Sequence, residues 1–118
     1  MKDDNLLIKF GIVFTTVTQL AQAIILEYAI SKDKSETAKN QCREFIDACI
    51  PLDTALTTQK KIPANNESLA MALDIVLKAQ ECIKNERVFD KTTRTLIKIT
   101  TDITITSIKK LSIELDRH

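Results

Sequence analysis

The chain has 118 residues, with one Gly, two Pro, one His and a formal net charge of +1. A single glycine, Gly11, cannot supply the tight turns of a β-rich fold or a glycine-rich phosphate loop, and one imidazole, His118, leaves no multi-His metal site or Ser-His-Asp triad. Near-neutral charge gives the molecule as a whole no electrostatic pull toward nucleic acid or acidic membrane.

Residues Leu6–Ile30 are predicted to form the first helix. Leu6, Phe10, Val13, Val17, Leu20, Ala21, Ile24 and Tyr28 recur at three- and four-residue steps, which gathers them on one face. Phe10 to Leu26 carries no charge over 17 residues, the lower edge of a membrane span. The acidic Asp3-Asp4 start and Lys9 oppose a signal peptide. The segment is therefore expected to be a buried helix of a cytoplasmic chain with no membrane partner. Gly11 falls inside it, where close packing against a neighbour is the expected reason for a missing side chain. Ile8, Ile12, Leu26 and Ile30 lie within the polar arc and form two apolar spots near opposite ends. A second neighbour in the same chain can cover such spots, and so can another chain.

Ser31-Lys32-Asp33-Lys34-Ser35 breaks the pattern, with Asp33 and Glu36 reading as an N-cap and its partner. The second helix is predicted from about Ser35 to Lys61, with Ala38, Cys42, Phe45, Cys49, Leu52 and Leu56 on a bundle seam. Pro51 inside it removes a donor and collides with the carbonyl of Asp47, so a kink or a split is expected there. Lys60-Lys61 suits the helix C-terminus.

Ile62-Pro63-Ala64-Asn65-Asn66 is a loop, with Asn65 or Asn66 as the next cap. Leu69, Ala72, Leu73, Val76, Ala79 and Ile83 mark the inner side of a third helix, joined by Ile75 and Cys82, with Asp74 and Lys78 paired on its outside. Asp90 caps a fourth. The stretch 96–106 alternates β-branched residues like a hairpin, yet its turn would fall on Thr101-Asp102 without Gly or Asn. Helical spacing of Ile97, Thr101, Thr104, Ile108, Leu111 and Leu115 competes and is preferred, with Leu96, Ile99 and Ile103 beside them. Together the elements predict one domain over residues 1–118, an all-α antiparallel four-helix bundle.

No catalytic, metal-ligating or cofactor-binding constellation emerges. No Glu is followed by His three residues later, as di-metal bundles require. Cys42, Cys49 and Cys82 are an odd number, lie on apolar stripes and match no zinc spacing, so they read as small buried hydrophobes in a reducing compartment. Cys42 and Cys49 stand roughly 10 Å apart along one helix, too far to pair, while either can reach Cys82. From Phe89 onward six basic side chains oppose four acidic ones, and Lys91, Arg94 and Lys98 share a face that can touch phosphates. With four Phe, one Tyr and no Trp, stacking surfaces for bases are scarce. The chain is accordingly expected to be a non-enzymatic protein-binding module of adaptor, regulator or inhibitor (immunity-protein) type, pairing with another protein or with its own copy through Ile8, Ile12, Leu26 and Ile30. The alternative is a nucleic-acid-associated helical protein that uses Lys91, Arg94 and Lys98.

Overall fold

Apolar residues spaced by three and four produce four helices, α1 (Lys2–Ile30), α2 (Glu36–Thr57), α3 (Asn66–Cys82) and α4 (Lys91–Asp116). This computed structural model describes the backbone of residues 2–117 and the side chains of residues 5–117; Met1 and His118, the only imidazole, lie outside the described residues. The helices pack as an antiparallel four-helix bundle with no strand among the described residues. α1 and α3 meet across the short diagonal, whereas α2 and α4 occupy opposite corners and do not touch. The body measures 49 × 29 × 16 Å, and its thin dimension follows from that flattened arrangement. Such a section leaves much of each helix facing outward.

Residues 96–106 are helical, and their threonines show why. Thr95, Thr100, Thr104 and Thr106 each donate a hydroxyl hydrogen to the carbonyl four residues back at 2.7–3.1 Å, and Thr101 donates to that of Lys98. The hydroxyls find partners within their own helix, so Thr101 and Thr104 enter the core without leaving a polar atom unpaired. Thr101 also accepts a hydrogen bond from Gln80 Nε2 at 2.8 Å, tying α4 to α3.

Asn65 and Asp90 cap α3 and α4 by accepting the amide hydrogens of Ser68 and Thr93. The Thr93 amide holds the Asp90 carboxyl below the usual carboxylate range. The cap of α2 is Ser35 rather than Asp33, since its hydroxyl accepts from Ala38. Asp33 instead accepts the Ser35 amide hydrogen and shapes the turn that delivers Ser35 to that position. α2 runs unbroken through Pro51, so it is not split in two; Pro51 and Asp47 are both exposed, which leaves the disturbed carbonyl to water. α2 ends at Thr57, before Lys60-Lys61. There Gln59 takes a left-handed φ of 55°, while the amides of Gln59 and Lys60 donate to Leu56 and Ala55. This is a Schellman closure with Gln where Gly is usual.

The core joins all four helices. Val17 and Ile24, Phe45, Ile75 and Val76, and Thr101 are fully enclosed, and Phe89 closes the end from the 83–90 connection. Leu56 departs from its expected inward position and is half exposed, in the last turn of α2 at the edge of the groove that α2 forms with α1. Gly11 also departs from expectation. A side-chain carbon built there has nothing within 4 Å, so close packing does not explain it. Gly11→Ala is therefore expected to raise stability by about 1 kcal/mol, since alanine restricts the unfolded chain and favours the helix at no steric cost. Urea titration of the two proteins measures this, and destabilisation would show that an unseen contact uses the glycine.

Candidate interaction surfaces

α1 has neighbours on one side only, and its back carries the four isoleucine and leucine residues singled out from the sequence. Ile8, Ile12, Leu26 and Ile30 are between 61% and 66% exposed, so none is covered by a second neighbour within the chain. They remain two spots, separated by Thr15, Gln19 and Gln22. The structure adds what a single helical wheel does not show, the residues on either side.

Toward α4, Ile12 and Ile103 line one groove together with Thr16, Thr100 and Ser107. Ile103 is 62% exposed, and Ile99 and Leu96 continue the apolar strip along α4. The groove closes at one end where Lys9 Nζ reaches Glu114 at 3.0 Å, an exposed pair that fixes register more than stability. Toward α2, a second groove of about 260 Å³ is lined by Ala21, Ile25, Ile46, Ile50 and Leu56, with Cys49 at its base. The back of α1 and its two flanking grooves thus form one broad, largely apolar side, and six of the thirteen exposed large hydrophobics lie on α1 itself. That helix is also long and apolar enough to cross a membrane, and 39% of its candidate span is buried inside the bundle.

The basic residues occupy a different face. α4 turns Lys91, Arg94 and Lys98 toward α3, where they line a cleft of about 680 Å³ with Gln80, Ile83, Lys84, Glu86 and Asp102. Lys84 belongs to the turn after α3, which is why the periodicity of α4 gave no sign of it. Four cations face two carboxylates here. Glu86 stands 3.7 Å from an Arg94 Nη, Asp102 accepts from Gln80 at 2.8 Å, and Lys84 pairs with Glu81 outside the cleft at 3.0 Å. Lys91 and Lys98 have no carboxylate partner among the described residues, and Arg94 Nε is buried without an acceptor. The cleft therefore retains a local positive potential that the near-neutral total conceals.

All three cysteines are buried and free. Burial, and secondarily Asp53, pushes the Cys49 thiol up to about 11. Among the described residues no three His, Cys, Asp or Glu side chains cluster closely enough to hold a metal ion. Compared with known proteins, the chain matches no family model, and neither a curated protein nor a solved structure matches it. Its function has to be read from its own surfaces.

Proposed function

We propose that this chain is a small non-enzymatic helical module that binds another protein, or its own copy, through the outer side of α1. The observation that supports this reading is the outward placement of Ile8, Ile12, Leu26 and Ile30 beside the exposed Ile99 and Ile103 of α4. Apolar side chains in polar-rimmed spots gain free energy when a partner removes them from water, and complementarity of shape then supplies specificity. An adaptor, regulator or inhibitor works in this way, by masking or scaffolding, without chemistry or cofactor. Three free thiols fit a reducing compartment such as the cytoplasm.

The double variant Ile12→Asp with Leu26→Asp tests the reading. Both side chains are exposed, so circular dichroism and melting temperature are expected to stay near wild type. Light-scattering mass, and recovery of a partner from host lysate, are expected to change. Ile113→Asp, also exposed but on α4 away from this side, is the control. Unchanged mass and partner recovery, or outright unfolding, would remove α1 as the binding side.

The cleft between α3 and α4 supports a second reading, association with nucleic acid through phosphate contacts by Lys91, Arg94 and Lys98, to which Lys84 is added. Phosphate contacts release counterions, so three or four of them make affinity fall steeply with salt, whereas an apolar interface responds weakly. Changing all three α4 cations to Gln is expected to abolish binding of a labelled oligonucleotide and its salt slope. Retention of both would eliminate this reading.

A further inference from the structure

Cys42 in the second turn of α2 and Cys82 at the end of α3 face each other across the helix contact, with their sulfurs 3.1 Å apart. A disulfide measures ~2.05 Å, so a shift of about 1 Å separates the dithiol from a covalent crosslink. Cys49, two turns further along α2, has no sulfur partner among the described residues. We propose that Cys42 and Cys82 form a redox-modification site, oxidised to an intramolecular disulfide by exchange with a low-molecular-weight disulfide of the glutathione class and restored by the corresponding thiol.

The exchange balances in two steps. The Cys42 thiol loses its proton and its sulfur attacks one sulfur of the small disulfide, forming a mixed disulfide and expelling one thiolate, which takes up that proton. The Cys82 thiol then loses its proton, and its sulfur attacks Cys42 Sγ, forming the internal bond and expelling the second small thiol. Two protein thiols give up two electrons and two protons, and the small disulfide receives them to become two thiols. Burial raises both protein thiols; the contact with Cys82 and the charge of Lys34 hold Cys42 back, whereas the same contact raises Cys82 further.

Access comes from the end of the bundle. Cys82 is the last residue of α3, and a non-helical connection follows it, held to α2 by a long contact of 3.5 Å between Asn85 and Gln41. Opening of this end lifts Val88 and Phe89 from the core and exposes the pair, and the crosslink itself joins α2 to α3 and not α1 to α4. Oxidation is therefore slow and local, and the outer side of α1 keeps its shape in both redox states.

The test incubates the full chain with oxidised glutathione, followed by alkylation, intact mass and a non-reducing peptide map. The expected product has lost two hydrogens, carries a Cys42–Cys82 crosslinked peptide, and alkylates at Cys49 after denaturation. Cys49→Ser is expected to yield the same crosslink, and Cys42→Ser and Cys82→Ser are each expected to lose it. A Cys49–Cys82 crosslink, an intermolecular disulfide dimer, a glutathione adduct that never resolves, or no reaction of the native protein would each overturn the proposal. Should a Cys42 or Cys82 variant fail to fold, the wild-type and Cys49→Ser maps decide the matter.

Discussion

Phe89→Ala is expected to destabilise the protein by about 3–5 kcal/mol, a large share of the roughly 5–15 kcal/mol that holds a domain of this size together. Phe89 lies outside every helix, yet its ring is fully enclosed. The turn that carries it is built from Asn85, whose carbonyl accepts the amide hydrogens of Val88 and Phe89 and whose side chain accepts that of Arg87. The turn has few interactions of its own and is held down by Val88 and Phe89 entering the core. Truncation removes apolar transfer free energy, leaves a cavity, and releases the lead-in to the Asp90 cap of α4. Thermal melting should fall on the order of 15 °C. Ile99→Ala, on the solvent side, serves as the control. A loss below about 1 kcal/mol for Phe89→Ala would show that the connection contributes little to the core.

How much of this was legible beforehand depended on whether a feature is local. The inner stripes of all four helices follow from spacing, because one helix carries its own record of which side is apolar. The α4 stripe from Ile97 to Leu111 was readable against its β-branched composition for that reason. Asp90 is legible as a cap, whereas Asn65 and Asn66 stand as alternatives for α3 until the structure shows the Asn65 side chain accepting the Ser68 amide hydrogen. Asp33 reads as the cap of α2 because Glu36 follows it three residues later, and Ser35 holds the position instead because the turn that Asp33 shapes delivers it there. The exposure of Leu56 depends on where α2 stops relative to α1, and the open space around Gly11 depends on the missing neighbour. Neither is a property of local sequence. The same limit governs the surfaces. Ile8, Ile12, Leu26 and Ile30 stood out because they broke the pattern of α1, but Leu96, Ile99 and Ile103 were absorbed into the apolar side of α4. Their placement against Ile12 is a tertiary fact. Lys84 joins the basic cleft only because α3 ends beside the start of α4.

Oxidation of the Cys42–Cys82 pair is expected to stabilise the folded chain by about 4 kcal/mol through restriction of the unfolded state. The crosslink would close a loop whose ends lie 40 positions apart, and loop-closure entropy for that length gives a value between those of short and very long loops. The native cost is small because α2 and α3 already hold the sulfurs at 3.1 Å, so the backbone moves little. The gain should appear as a rise in melting temperature on the order of 10–15 °C, lost on adding reductant and absent from Cys82→Ser. The position of the crosslink sharpens the test. α2 does not touch α4, so a bond between α2 and α3 leaves the groove between Ile12 and Ile103 unconstrained. Association measured through the outer side of α1 should therefore be equal in oxidised and reduced protein, even as their stabilities separate. A stability gain accompanied by lost association would mean that the face and the thiol pair are coupled, and that the bundle moves as one body rather than opening at the α3 end.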